Sequence, residues 1–248
     1  MSDARIATQR WKVGSATITS VVESQDDIPP AFLLPDATEA MVQRHPWLVP
    51  DWADADGSIG IRIQAFVVEV DGTTVLVDPC VGNHKARWLP MWNMLDTPFM
   101  DRLAEAGVAA AGVELVVHTH LHADHVGWDT HLDGDDWVPT FTNARHLYTE
   151  AELEHVRTFV LPGEDVYGDS IAPIFDAGLA DVVEPDADLG HGLRLESTPG
   201  HTPGHTSLWV ESDGEVARTG ALVLGAHFPS RPAGRVVTDG DAYRFVPE

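Results

Sequence analysis

The chain has 248 residues, of which 44% are hydrophobic, and its formal net charge is −24. This length and composition predict a globular protein with a single domain over residues 1–248 and a substantial core. The strongly acidic balance disfavours binding to nucleic acid or to a membrane surface, because both carry negative charge.

The first third of the chain predicts strands around an irregular segment. Residues 11–24 alternate between apolar and polar side chains, which is typical of a strand. Residues 28–60 are rich in proline and tryptophan and predict an irregular segment with a short helix at 36–44. Residues 63–79 predict two strands around Asp71-Gly72, a strong hairpin signal.

The middle of the chain mixes helices with a buried strand. Residues 97–107 combine a threonine cap, a proline at the first helical position and a terminal glycine, which together predict a helix. The apolar residues 113–120 predict a buried strand that runs into a histidine-rich turn. Residues 149–160 predict a helix in which Thr149 and Glu152 form a capping box.

The last part of the chain predicts strands after an irregular segment at 161–178. A turn rich in proline and glycine separates the first two strands, and Gly220 interrupts the third. The predicted strands cover residues 193–199, 206–212, 215–227 and a short stretch near 234–246. Strands at both ends with helices between them favour mixed sheets with helices packed outside.

The turn HTHLHADH at residues 118–125 concentrates four of the 13 histidines. His120 and His122 share the same parity in an extended chain, so they can converge on one ion. Asp124 and His125 lie in the following turn and can reach a second ion or a bound water. Imidazole nitrogens with one carboxylate suit Zn²⁺, and also Fe or Mn. Grouping these titratable side chains costs stability unless a metal neutralises them, so we predict a metal site here.

A second histidine turn, TPGHTPGH, lies between two predicted strands at residues 198–205. Proline and glycine fix a sharp turn that can present His201 as a third ligand. His205 starts the next strand and could ligate the metal or support the turn, and we favour support. His118 shares strand parity with His120 but lies deeper in an apolar strand, so we expect it to support the site or to belong to the core.

Both motifs resemble those of the metallo-β-lactamase superfamily of hydrolases. HTHLHADH is similar to its H-x-H-x-D-H signature, and STPGHTPGHTS is similar to its third-ligand turn. TVLVDPCVG resembles the strand whose aspartate, here Asp78, supports the site from behind. VLGAHFPSRPAGRV resembles the late histidine segment of the branch with N-acyl-homoserine lactonases and methyl parathion hydrolase. The resemblance covers roughly residues 11–247.

The resemblance implies an αββα four-layer sandwich, the metallo-β-lactamase fold, with two metal ions at the sheet edges. The first ion would be held by three histidines and the second by an aspartate and two histidines. These ligands are His120, His122 and His201 for the first ion, and Asp124, His125 and His227 for the second. The expected cofactor is Zn²⁺, as one or two ions, with Fe or Mn as alternatives. A metal-bound hydroxide would be the nucleophile, and Asp124 is the expected catalytic carboxylate.

The chain departs from the family pattern near its end. In the family, an aspartate that bridges both metals follows a Thr-Gly pair, whereas here Ala221 follows Thr219-Gly220. Only six residues separate Gly220 from His227, and the family's helix cannot fit, because a crossover needs about a dozen residues or more. We therefore expect an internal deletion that truncates the second half of the fold.

The leading interpretation is a metal-dependent hydrolase of small esters, lactones or related substrates. Two alternatives stay open: a catalytically impaired metal-binding remnant without the bridging aspartate, and an iron-dependent oxidoreductase on the same fold. The expected partner is a small molecule, and a homodimer is considered because missing elements would expose apolar surface. The single cysteine, Cys80, excludes an intrachain disulfide, which favours a reducing cytoplasm.

Overall fold

The computed structural model describes residues 7–216, 222–240 and 242–247. Contacts divide the chain into two compact units. The first contains the described residues of Met1–Ala7, Ser24–Ile63 and Ala217–Glu248, and the second contains Thr8–Glu23 and Gln64–Val216. Among the described residues, no helix combines the length and the apolar character needed to cross a membrane. The single domain over residues 1–248 stays a prediction.

The described strands are, in chain order, β1 (Gln9–Val13), β2 (Ala16–Ile28), β3 (Ile59–Val70), β4 (Thr73–Val77), β5 (Leu115–Val117), β6 (Thr130–Asp133), β7 (Asp136–Pro139), β8 (Arg145–Thr149), β9 (Ala180–Val183), β10 (Asp188–Gly190), β11 (Leu193–Ser197), β12 (Thr206–Ser212), β13 (Glu215–Val216), β14 (Val223–Leu224), β15 (Ala233–Asp239) and β16 (Ala242–Pro247). The described α-helices are α1 (Pro30–Leu33), α2 (Glu39–Val42), α3 (Phe99–Glu105), α4 (Ala123–Val126), α5 (Glu150–Thr158) and α6 (Ala172–Asp176). Short 3₁₀ turns cover Pro46–Leu48, Ala110–Gly112 and Gly127–Asp129, and a π-helical turn covers Tyr167–Ile171.

The larger sheet has the strand order β1-β2-β3-β4-β5-β8-β9. Strands β3 and β4 form the predicted hairpin, in which Val70 pairs with Thr73. Asp71 and Gly72 have φ angles of 49° and 84°, and positive φ at both central residues matches the right-handed twist of the flanking strands. The hairpin prediction is therefore confirmed.

Parallel pairing of β4, β5 and β8 creates the edge on which the histidine turn lies. Val77 pairs with Val117, and Val117 pairs with Leu147. Because parallel strands end at the same edge, the segments that follow them meet there. The residues after β4, the histidine turn after β5 and the start of α5 after β8 are thus brought together.

A second, antiparallel sheet contains β10 to β13. Ser197 pairs with Thr206 at the end of the β11–β12 ladder, so the turn at 198–205 closes this pair. The Thr206 N–H donates to the Thr119 carbonyl oxygen at 2.9 Å. This bond places the second histidine turn beside the first.

An apolar cluster lies beneath the first histidine turn and packs against α5 and α6. It consists of Leu121, Val126, Tyr148, Leu153, Val156, Ile171 and Ile174. Burying such side chains stabilises the fold by about 1.5–3 kcal/mol each. The turn that carries the histidines is therefore anchored at both ends by core residues.

The first unit contains α1, α2 and the three-stranded sheet of β14, β15 and β16. Phe245 packs edge-on against Trp52, with ring centroids 6.2 Å apart, and against Phe228, at 4.8 Å. The short helix expected within 36–44 is present as α2, where the Thr38 hydroxyl accepts from the Met41 N–H.

Several sequence predictions differ from the structure. The predicted strand at 11–24 is two strands, because a turn at Gly14, with φ of 55°, separates β1 from β2. The prediction that 161–178 is irregular was wrong, since this segment holds the π-helical turn and α6. The break expected at Gly220 lies outside the described residues.

Both threonine caps were predicted wrongly. Helix α3 begins after Pro98, and no side chain caps it, because the Thr97 hydroxyl donates to Glu23 at 3.3 Å instead. Thr149 precedes α5 but makes no capping bond. Tertiary hydrogen bonds have replaced the local ones that the sequence pattern favours.

Candidate metal centre

Three histidines converge at the edge where β5 ends. His122 Nδ1 lies 3.1 Å from His120 Nε2 and 3.1 Å from His201 Nε2. His120 follows β5 and is buried, His122 immediately precedes α4 and is half-buried, and His201 is exposed in the turn between β11 and β12. The two sequence motifs are therefore brought together by the fold.

Thr119 fixes which nitrogen of His120 carries the proton. The Thr119 hydroxyl lies 2.7 Å from Asp78 Oδ2 and 3.0 Å from His120 Nδ1. An ionised carboxylate only accepts, so the hydroxyl donates to Asp78 and must accept from His120 Nδ1–H. His120 Nε2 is then left with a lone pair that points at the other two histidines.

This donor set fits a divalent metal ion. His122 Nδ1 lies between His120 Nε2, which carries a lone pair, and His201 Nε2. A single hydrogen on His122 Nδ1 cannot form good hydrogen bonds to both of these nitrogens at once. Tetrahedral Zn²⁺ with Zn–N bonds of about 2.0–2.1 Å would separate its nitrogens by about 3.3 Å, close to the spacing here. Burial lowers the pKa of His122 to about 4 and also lowers the pKa of His120, which keeps both rings neutral, as metal ligation requires.

Asp78 supports the site from behind β5. Its carboxylate accepts from the Thr119 N–H at 2.7 Å and from the Thr119 hydroxyl, and its Oδ2 lies 2.9 Å from His125 Nδ1. Burial alone would raise the pKa of Asp78, but the charge of His125 and these hydrogen bonds outweigh it and hold that pKa below its usual range. Asp78 has a φ of 53°, a conformation that is costly for a residue with a Cβ.

Asp124 and His125 lie on α4, and both are buried. His125 Nε2 is 3.5 Å from Asp124 Oδ2. Burial disfavours the charged imidazole, but the carboxylates of Asp124 and Asp78 outweigh it and raise the pKa of His125 to about 10. The carboxylates of Asp124 and Asp78 therefore favour a positive charge at the position of His125. A bound metal ion would also supply positive charge near these carboxylates.

His118 points away from the three convergent nitrogens. Its Nε2 lies 2.9 Å from Asp129 Oδ2, and its Nδ1 lies 3.0 Å from the Leu147 carbonyl oxygen. Asp129 also accepts from the Tyr148 hydroxyl at 3.0 Å and lies 3.2 Å from His146 Nδ1. Burial opposes ionisation of Asp129, but the two histidines overcome it and lower its pKa. His118 thus joins a buried polar network beneath the site.

His205 and His227 are the remaining predicted ligands or supporting residues. His205 Nδ1 lies 2.9 Å from the Thr198 hydroxyl, and its ring lies 5.3 Å from that of His120. His227 belongs to the first unit, where its Nδ1 lies 3.1 Å from the Arg62 carbonyl oxygen. The assignment of His227 to a second metal stays a prediction, and Ala221 with the preceding Thr-Gly pair lies outside the described residues.

Sequence reasoning did not identify Glu23 or Glu152 as parts of this region. Glu23 is buried and accepts from Val81 N–H at 2.8 Å and from Trp128 Nε1–H at 2.6 Å, while burial raises its pKa. It thereby anchors the segment that follows Asp78. The only signal in the sequence is an acidic residue at the end of an apolar run, and such a residue is equally typical of solvent exposure.

A cavity of about 200 Å³ lies along the end of α5. Its apolar walls include Val156, Phe159, Val160, Leu161 and Tyr167. The Phe159 ring lies 5.8 Å from the His122 ring. The lining also includes the charged side chains of Arg157, Glu164 and Asp165. One lining residue, Phe159, therefore also lies close to the convergent histidines, and no sequence motif indicated this.

Comparisons with known proteins agree with this geometry. The family model described as the metallo-beta-lactamase superfamily matches residues 60–227. N-acyl homoserine lactonase AiiA of Bacillus thuringiensis subsp. kurstaki is 30% identical over 109 residues, which are 44% of this chain and 36% of that protein. N-acyl homoserine lactonase AttM of Rhizobium radiobacter is 30% identical over 126 residues, covering 48% and 44% respectively. The match thus spans less than half the length of these curated relatives.

Solved structures extend the likeness to the whole fold. AidC, a dizinc quorum-quenching lactonase, aligns over 99% of both chains with a TM-score of 0.77 and 16% identity. The hydrolase AbOPH aligns over 97% of both chains with a TM-score of 0.75 and 19% identity. The predicted fold class is confirmed by these alignments. The alignment with AidC does not show the predicted truncation of the second half. The segment in which the deletion was predicted, at 219–221, lies outside the described residues, so the truncation stays a prediction.

Proposed function

The chain belongs to the metallo-beta-lactamase superfamily, and we propose that it is a metal-dependent hydrolase of small esters or lactones. The observation that carries this proposal is the convergence of three imidazole nitrogens around His122 at 3.1 Å, with the His120 lone pair directed inward by Thr119. Neutral nitrogens facing one another at a partly exposed edge have little structural value without a cation between them.

We propose Zn²⁺ as the cofactor, with Fe and Mn as alternatives. When bound, such an ion supplies a Lewis acid and lowers the pKa of water toward neutrality. His120, His122 and His201 would hold the first ion. Asp124, His125 and His227 would hold a second ion, as the family resemblance implies.

The protein's own side chains account for orientation and proton handling. Asp78 and Thr119 hold His120 in one tautomer, and Asp78 also orients His125. Asp124, with its carboxylate buried at the start of α4, is the proposed catalytic residue that accepts a proton from attacking water. A proton acceptor fixed on a helix reduces the reorganisation that the reaction requires.

The cavity beside Phe159 favours a substrate with an apolar group next to its scissile bond. The relatives named as N-acyl homoserine lactonases act on molecules of this kind by name, and AidC was solved with N-hexanoyl-L-homoserine as product. A wall of aliphatic and aromatic side chains contributes binding by removing apolar surface from water. We therefore propose lactones or esters with an apolar substituent as the substrate class.

Metal analysis combined with a substrate panel tests the proposal. The full chain would be analysed for bound metal and assayed with a lactone and an aryl ester. His120→Ala is expected to abolish both metal binding at the first site and turnover. His131→Ala removes an exposed histidine on β6 and should change neither.

Two results would contradict the hydrolase. Bound metal without turnover of any ester or lactone would identify the metal-binding remnant, for which Ala221 is the sequence argument. Bound iron with oxygen consumption would identify the oxidoreductase.

A further inference from the structure

Glu152 makes no capping box, although it occupies the position on α5 where one was predicted. Its side chain is buried, and both carboxylate oxygens accept hydrogen bonds from distant backbone groups. Oε2 accepts from the Leu121 N–H at 3.0 Å, and Oε1 accepts from the Gly204 N–H at 2.8 Å. One carboxylate therefore joins the two histidine turns.

The two donors lie next to proposed metal ligands. Leu121 separates His120 from His122, and Gly204 lies three residues after His201 in the same turn. Each N–H is buried, and a buried N–H without an acceptor costs about 1–3 kcal/mol. A carboxylate satisfies both donors and contributes charge-assisted bonds, which are stronger than bonds between neutral groups.

The second turn is also packed closely on the start of α5. A Cβ at position 204 would lie 2.8 Å from the Glu152 backbone nitrogen and 2.9 Å from the Ala151 Cβ, so only glycine allows this approach. The Thr149 hydroxyl donates to the Gly204 carbonyl oxygen at 3.2 Å. Thr149, at the end of β8, and Glu152, on α5, thus bind the C=O and the N–H of one residue in the third-ligand turn.

We propose that Glu152 is a positioning residue that fixes His201 relative to His120 and His122, so that their three nitrogens converge on one ion. The inference rests on the metal site of the proposed function but not on hydrolysis. His201 is exposed and lies in a turn of the second sheet, whereas the other two histidines follow β5 of the larger sheet, so its position depends on what holds its turn. Groups that orient metal ligands typically contribute 10–100-fold to metal affinity.

Glu152→Gln tests this role with little change in side-chain size. The amide oxygen can accept from only one of the two N–H groups, and the amide NH₂ must face the other donor. The zinc affinity of the full chain, measured by competition with a chromophoric chelator, is expected to fall by about 10–100-fold. Glu154→Gln is the matched control, because it makes the same change at an exposed position on the same helix and should leave the affinity unchanged.

Two further readouts separate positioning from general stability. The visible absorption spectrum of the cobalt-substituted protein reports the geometry of the metal ligands. The strong absorption of a tetrahedral cobalt site should be weaker in Glu152→Gln than in the parent protein. The stability of the metal-free protein would be measured in parallel. A variant that is less stable without metal, yet binds zinc within twofold of the parent and keeps its cobalt spectrum, would show a structural role only and overturn the proposal.

Glu152→Asp keeps the proposal testable if Glu152→Gln does not fold. It retains the charge, but the side chain is one methylene shorter and cannot reach both N–H groups, so a loss of zinc affinity is expected, and an unchanged affinity would overturn the proposal. Failure of the hydrolase assignment can be distinguished from failure of this proposal. A protein that turns over no ester or lactone can still show a metal affinity that depends on Glu152.

Discussion

Replacing Asp78 with asparagine should weaken metal binding by changing the tautomer of a neighbouring histidine. Asp78 Oδ2 accepts from the Thr119 hydroxyl at 2.7 Å, and that hydroxyl accepts from His120 Nδ1–H. In Asp78→Asn an amide NH₂ replaces one of the two carboxylate oxygens. The replacement matters most at the position of Oδ2, which in the parent protein faces both the Thr119 hydroxyl and His125 Nδ1. The Thr119 hydroxyl would then accept from the amide and donate to His120 Nδ1, which moves the ring proton to Nε2, the atom proposed to bind metal.

The magnitude follows from the number of bonds that are disturbed. Asp78 accepts two bonds from Thr119 and faces His125 Nδ1 at 2.9 Å, and the substitution conflicts with those made by Oδ2. Loss of such orienting partners costs about 10–100-fold in metal affinity, which corresponds to about 1.4–2.8 kcal/mol. Asp78→Ala should weaken binding by at least as much, because it removes all three acceptor contacts.

Competition with a chromophoric chelator near neutral pH measures the zinc dissociation constant of each variant. Asp71→Asn is the matched control, because Asp71 is exposed at the β3–β4 turn, and asparagine tolerates its positive φ. An Asp78→Asn protein that binds zinc within twofold of the parent would refute the tautomer argument, even if its stability had fallen.

Three further predictions concern stability and substrate binding. Asp169→Ala should lower the free energy of unfolding in urea by about 3–5 kcal/mol. The Asp169 carboxylate lies 3.3 Å from the buried Lys85 Nζ and 2.7 Å from the buried Arg87 Nη1, and both cations would lose this partner. Asp181→Ala, which removes an exposed ion pair, should cost less than about 1 kcal/mol, and equal losses would contradict the burial argument. Burial lowers the pKa of Lys85 to about 8, so the folded protein releases this proton before the unfolded chain does. Relative to Lys85→Met, the free energy of unfolding should therefore rise by up to about 3 kcal/mol between about pH 8 and 10.5, and this gain is lost again as the pH falls back to 8. Parallel curves for the two proteins would exclude this. Phe159→Ala should raise KM for a lactone with an apolar chain several-fold but leave KM for one without a chain nearly unchanged, and an equal change for both would mean that the cavity does not bind the chain.

The convergence of His120, His122 and His201 could be predicted from the sequence because these candidate ligands are concentrated in two short turns. Spacing placed His120 and His122 on one face, and the proline-glycine turn suggested His201 as a third ligand, whose Nε2 the structure brings to 3.1 Å from His122 Nδ1. Glu152 could not be assigned in this way. Its local pattern favours a capping box, whereas the fold supplies two buried N–H donors from segments that are far away in sequence, and tertiary hydrogen bonds of this kind override local propensity.

The ligands proposed for the first ion all precede the segment before His227 in which the sequence departs from the family pattern. Asp78, Thr119 and Glu152, which orient these ligands, belong to the same unit as the three histidines and precede residue 217. A change in the chain at Ala221 is therefore expected to act first on the ligands proposed for a second ion, because the hydrogen bonds that orient the first set all come from residues before position 217. Three histidine ligands and one open position are sufficient to activate water in known zinc enzymes. The predicted loss of the bridging aspartate thus favours a protein that depends on the ion proposed for the first site over a protein that binds no metal.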